Sequence, residues 1–183
     1  MKTRRILTAY ILIITLAVSY FPAGAQSQTE FNPNFLISDA ELQNQQSMSL
    51  EDIQVFLDHQ NGFLARYSAA DANGVSLPVA NIIYGAAQTH HINPKYILIK
   101  LQKEQSLITD PNPTQKQIDW ATGYGVCDAC GTDDPAIQKH KGFGIQVDSA
   151  AGIMRWYYDH LDSEPWIKRM GREYFIDGLQ VMP

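Results

Sequence analysis

Asn93-Pro94-Lys95-Tyr96-Ile97-Leu98-Ile99-Lys100-Leu101-Gln102-Lys103-Glu104-Gln105-Ser106-Leu107-Ile108 is the stretch on which the reading of this chain turns. Asn93 can cap a helix, and Pro94 suits the first helical position, where no backbone donor is needed. At about 100° per residue, Ile97, Leu98, Leu101, Gln105 and Ile108 share one face, while Lys95, Gln102 and Lys103 point elsewhere. Glu104 falls inside the apolar stripe, within roughly 60° of Ile97, Leu101 and Ile108. A carboxyl group there is costly unless it is protonated, hydrogen-bonded or opening into a cleft. Desolvation would raise its pKa, which turns a glutamic acid into a proton donor near neutral pH. An amphipathic helix with a glutamate at its edge fits the same wheel equally well.

Moving upstream, Ser49-Leu50-Glu51-Asp52 has the form of a helix cap with acidic residues in the first turn. Leu50, Ile53, Phe56 and Leu57 follow at helical spacing, and Asn61-Gly62 ends the run. Residues 70–74 read as a loop. A further helix begins near Ser76-Leu77-Pro78, with Val79, Ile82, Ile83, Ala86 and Ala87 inward. Residues 26–46 are polar, with a turn at Asn32-Pro33-Asn34, and predict an extended arm strapped down by Phe31, Phe35, Leu36 and Ile37.

Downstream, Pro111 and Pro113 predict the end of the helix that carries Glu104. Residues 119–135 form a long connection rich in glycine, aromatics and carboxylates, the kind of irregular segment that usually carries function. Residues 141–147 predict a tight turn or short strand. A last helix is expected from about 148 to 161, with Ala150, Ala151, Met154, Tyr157, Tyr158 and Leu161 on one side. Residues 173–181, around Asp177-Gly178, predict a small hairpin. The expected fold is therefore mainly α.

The chain has 183 residues, 45% hydrophobic and 18% charged, which suits one globular domain with a sizeable core. Its start does not belong to that domain. Lys2, Arg4 and Arg5 precede an almost wholly apolar run over 6–21 and a small-x-small site at Ala23-Gly24-Ala25, the pattern of a secretory signal peptide over residues 1–25. An uncleaved membrane anchor is the alternative, although the run is slightly short for a full span. Cleavage would remove three basic residues and leave 11 basic and 19 acidic ones, a formal net charge of −8. That balance, with no basic stripe, excludes the usual nucleic-acid footprint and argues against adhesion to anionic polymers by charge alone. The expected organisation is a signal peptide, an arm over 26–46 and a domain over 47–183 that could stop before a further element, with no stable membrane span after cleavage.

Two features coincide in this domain: a carboxylate on an apolar helix face, and a glycine-rich turn leading into a helix some forty residues on. Glu104-Gln105-Ser106 resembles the catalytic Glu-Ser region of lysozyme-like lytic transglycosylases. Gly142-Phe143-Gly144-Ile145-Gln146-Val147-Asp148 is similar to the Gly-Leu-Met-Gln motif of that superfamily, closest to goose-type lysozymes. The resemblance spans residues 78–160 and implies a lysozyme-like helical domain acting on peptidoglycan glycan strands. Gln105 stands where the family's serine usually follows the glutamate, and the second motif is a residue short.

Splitting a glycosidic bond requires an acid to protonate the leaving oxygen, and Glu104 would be that acid. A second carboxylate would serve as base or nucleophile; Asp119 and Asp128 are the candidates, although solvated loop aspartates are commoner. Without one, the substrate's N-acetyl group could assist, or a lytic transglycosylase would close an anhydro ring. Gly142 and Gly144 would let backbone approach a sugar, and Gln146 could hydrogen-bond it. Ser106 belongs to the first motif and is expected near the substrate. Trp120, Tyr124, Trp156 and Tyr157 could form stacking walls, though helix aromatics more often fill cores.

Cys127 and Cys130 in an exported chain favour a disulfide; a zinc site with His140 and an aspartate is the alternative for a CxxC spacing. His59, His90, His91 and His160 show no partner spacing. No cofactor enters the leading reading, and the oligomeric state is open. Two functional hypotheses lead, ahead of a third, an exported metal protein organised by Cys127 and Cys130. One is an exported glycan-cleaving enzyme with Glu104 as general acid; the other is a non-catalytic wall-binding module of the same fold, favoured by Gln105 and the missing second acid.

Overall fold

The computed structural model describes residues 35–127 and 131–182. The signal-peptide segment, the arm up to residue 34, Asp128 and Cys130 lie outside the described residues. Among those described, no helix is long and apolar enough to cross a membrane.

The described residues include six α-helices and two small hairpins: α1 (Asp39–Leu42), α2 (Leu50–Gln60), β1 (Ser68–Ala70), β2 (Ser76–Pro78), α3 (Val79–His90), α4 (Pro94–Gln105), α5 (Gln115–Asp119), α6 (Phe143–Asp159), β3 (Tyr174–Ile176) and β4 (Leu179–Val181). Helix α3 is the central element, packed on by α2, α4 and α6. It can be central because it is apolar almost all round: Val79, Ala80, Ile82, Ile83, Ala86 and Ala87 are all buried. Ile53 and Leu57 of α2, Ile97, Leu98 and Leu101 of α4, and Phe143, Val147 and Ala151 of α6 close on it in one core.

Local chemistry sets the helix ends. The Ser49 side chain accepts from Asp52 N, and the Asp52 carboxylate accepts from Ser49 N, a reciprocal cap that starts α2. Asn93 accepts from Lys95 N at 2.9 Å, ahead of Pro94 at the first helical position of α4. Asn61, His91 and Ser106 end α2, α3 and α4 in left-handed conformation.

Four expectations need correction. The arm contains a helix, α1, because Ser38 caps it by accepting from Glu41 N. Helix α4 stops at Ser106, before either proline, so Ile108 is buried from a turn and not from the helix. The approach to the long connection holds a helix that was not expected, α5, which ends at Asp119 and which a capping box between Thr114 and Gln117 starts. The segment expected as a turn or strand is instead the first turn of α6, which begins at Phe143 after Gly142 (φ 115°). Residues 70–74 connect a hairpin that was not expected: Asp71 Oδ1 accepts from Asn73 N at 2.9 Å and from Val75 N at 2.8 Å, folding the chain back so that Ala69 pairs with Leu77. The hairpin at Asp177-Gly178 is present, with both residues at positive φ.

Candidate functional site

Helix α4 presents Tyr96, Lys100 and Glu104 four residues apart, one stripe along its surface. Helix α6 presents Ala150, Ile153, Met154 and Tyr157 at the matching three- and four-residue steps. Between the two stripes lies a cleft of 560 Å³, lined by Tyr96, Lys100, Ala150, Ile153, Met154 and Tyr157 and closed by residues 122–125 and His140. This volume is within the range of small-ligand pockets.

One buried side chain builds the cleft's third wall. Gln146, fully excluded from solvent in α6, spends its amide on the loop. Its Oε1 accepts from Thr122 N at 3.2 Å, Thr122 Oγ1 at 3.1 Å and Tyr124 N at 3.0 Å. Its Nε2 donates to Tyr124 O at 2.9 Å and His140 O at 2.6 Å. Residues 122–124 and 140 are thereby fixed to α6 by a single residue. Tyr124 packs edge-on against the His140 ring at 5.2 Å. Gly125 sits at φ 73°, and a Cβ there would come within 2.4 Å of that ring, so glycine is required on both counts.

Glu104 stands at the rim of this cleft. A Cβ placed on Gly123 would lie 3.5 Å from Glu104 Oε2, so the carboxylate lies against the loop that Gln146 holds. Its other oxygen accepts from Lys100 Nζ at 3.0 Å and Lys103 Nζ at 3.4 Å, and its side chain is 29% exposed. Burial was expected to raise its pKa. Instead the hydrogen bond from Lys100 is the largest influence and, with the lysine charges, lowers it, while desolvation opposes more weakly. Tyr96 is perturbed the other way: burial first, then the Glu104 and Tyr157 oxygens, push its hydroxyl up to about 12.

Of the residues singled out from sequence, Glu104, Tyr124 and Tyr157 come together at the cleft. The others do not. Asp119 ends α5 in a separate groove, where it pairs with Lys141 at 3.3 Å and accepts from Gln115 Nε2 at 2.9 Å. Trp120 does not wall the cleft; it is 4% exposed. Ser106 is the exposed C-cap of α4. Gly144 faces β1 and not the cleft: a Cβ there would meet Ala70 O at 2.2 Å and Asp71 Cα at 2.5 Å, so its smallness serves helix-to-hairpin packing. Gln146 reaches no ligand because its amide is fully used. Trp156 stacks on His160 at 4.2 Å.

Cys127 is disulfide-bonded, and Cys130 lies outside the described residues. Among the described residues, no group of three or more His, Cys, Asp or Glu side chains is placed to hold a metal ion. Sequence reasoning did not place Tyr96, Lys100, His140, Ile153 or Met154 at the cleft, although it weighed His140 as a zinc ligand and Met154 as part of a helix face. For the first two the signal was present, since they share the four-residue step of Glu104; His140 joins only through the tertiary fold.

The family model described as "LasA, N-terminal domain" matches residues 35–165, which run through all six helices and stop before the β3–β4 hairpin. No curated protein and no solved structure matches the chain.

Proposed function

The chain belongs to the LasA N-terminal domain family, and from the cleft that its helices frame we propose an exported, lysozyme-like glycan-cleaving domain that acts on peptidoglycan strands with Glu104 as general acid. One observation carries this reading: the Glu104 carboxylate lies against Gly123 at the lip of a cleft walled by Tyr96, Tyr124 and Tyr157. Tyrosine faces suit the apolar faces of sugar rings, and their hydroxyls suit sugar hydroxyls.

In the reaction, protonated Glu104 gives its proton to the leaving glycosidic oxygen as the bond to the anomeric carbon breaks. The resulting carboxylate then takes a proton from the incoming water, or from the sugar's own 6-hydroxyl if an anhydro ring closes. Lys100 and Lys103 favour the carboxylate in the empty cleft, so a bound glycan must exclude water and loosen these contacts before the acid step. Tyr96, protonated up to about pH 12, remains a donor throughout.

A second reading is favoured by a specific observation: among the described residues, no carboxylate lines the cleft, and the one at its rim is held ionised by two lysines. A non-catalytic wall-binding module would have this appearance. Incubation with purified sacculi and mass analysis of soluble products separates the two. Released muropeptides from the wild type, lost in Glu104→Gln, support the enzyme. Retention on sacculi without release supports the module. Because the Glu104 pairs are partly exposed, Glu104→Gln should change the melting temperature little, so lost activity would not mean lost fold.

A further inference from the structure

In the proposed glycan reading, on which this inference rests, Lys100 acts only on Glu104, although it is the only fixed cation among the described residues lining the cleft. Its side chain is 29% exposed and lines the cleft, and its ammonium donates to Glu104 Oε1 at 3.0 Å. Lys103 also reaches Glu104 Oε1, at 3.4 Å, but from a 74% exposed side chain that does not line the cleft. If Lys100 moved, Glu104 would therefore keep a partner. The other lining residues with polar side chains are Tyr96, Thr122, Tyr124, His140 and Tyr157. No lining carboxylate among the described residues competes for Lys100.

We propose that Lys100 is a specificity-determining residue: it makes the cleft select glycans that carry a carboxylate, by exchanging the Glu104 carboxylate for that of the ligand. The exchange is feasible because a partly exposed ion pair contributes little to stability, so its loss is offset by an equivalent pair with the ligand. A bound ligand excludes water from the cleft, and a charge-assisted hydrogen bond gains strength there. The mature chain's acidity sharpens the point. With 19 acidic side chains against 11 basic ones after signal cleavage, the net charge disfavours an anionic ligand, and a local cation in the cleft offsets that. The same exchange removes from Glu104 the partner that most favours its ionised form, and so links recognition of the ligand's charge to the acid step.

The test is a chemical-shift titration of the full mature chain with three disaccharides, the spectra also reporting any cleavage. These are N-acetylglucosaminyl-N-acetylmuramic acid with a free lactyl carboxylate, its methyl ester, and neutral chitobiose. The acid should bind the wild type about fivefold more tightly than the ester. That ratio should fall to near one in Lys100→Met and survive in Lys100→Arg, with unchanged amide dispersion showing that both variants fold. Glu104→Gln should raise affinity for the acid, because Lys100 is no longer shared. An alanyl-amide of the same disaccharide, which moves the carboxylate outward, shows whether the lactyl or the peptide carboxylate is read. Equal affinity for acid and ester in the wild type, or a ratio that persists in Lys100→Met, overturns the role of Lys100 while leaving a glycan cleft in place. Failure of all the probes to bind overturns the glycan reading itself.

Discussion

Gln146→Leu replaces a buried amide by an apolar side chain of similar size, and its cost can be worked from the contacts. Four backbone groups lose their partner: the N–H groups of Thr122 and Tyr124, and the C=O groups of Tyr124 and His140. Thr122 is 1% exposed, so water cannot replace the lost acceptor at its N–H, a penalty of about 2 kcal/mol. Tyr124 and His140 are half-buried and regain water in part, adding about 2 kcal/mol together. Thr122 Oγ1 still donates to Gln146 O at 2.9 Å and adds nothing. Leucine returns about 1 kcal/mol through its apolar surface, which leaves a net loss of about 3 kcal/mol. Urea unfolding of wild type and variant measures it, provided the slope with denaturant is unchanged. Gln146→Glu is the companion: its carboxylate would face two carbonyl oxygens, so it should be no more stable than the leucine variant at neutral pH. It should recover as pH falls, when the protonated acid can donate again. A loss below about 1 kcal/mol for Gln146→Leu would refute the view that this one amide holds the cleft's third wall.

Other consequences follow from the same geometry. Gly144→Ala should destabilise by about 3 kcal/mol in urea unfolding, because the added methyl meets the backbone of Ala70 and Asp71, which cannot swing aside. Tyr96 should resist ionisation in a 295 nm absorbance titration until near pH 12. Its folded pKa lies above the unfolded value of 10.0, so the unfolded chain loses that proton first and stability falls as pH rises from 10 toward 12. Asp119→Asn should leave glycan cleavage intact, since Asp119 lies in a separate groove with Lys141; a large loss would return it to the reaction. Glu104 runs opposite to Tyr96. With its folded pKa depressed, its small contribution is present above the ordinary glutamate range and is lost as pH falls through the lowered value, which a stability profile from pH 6 to about 2 would reveal.

The sequence by itself determined those features that depend on neighbours a few residues apart. The caps at Ser49 and Asn93, the inward faces of α3 and α4, and the Asp177-Gly178 hairpin all rest on local hydrogen bonds or helical periodicity. Where the local signal was divided, it misled. Gly142-Phe143-Gly144 looks like a turn because glycines disfavour helix, yet α6 begins there, since only a residue without Cβ lets the helix lie against β1. The β1–β2 hairpin escaped because Ser-Ala-Ala and Ser-Leu-Pro carry little strand preference and Asp71 makes the turn. Only the tertiary structure decided which carboxylate meets the cleft, because α4 and α6 come together through the core they share with α3. That packing sets Glu104 against Gly123, commits Gln146 to the loop and sends Asp119 to another face. The Lys100–Glu104 pair needs no such packing, because the two lie one helical turn apart on α4; that neighbouring charge, and not burial, governs the acid's ionisation.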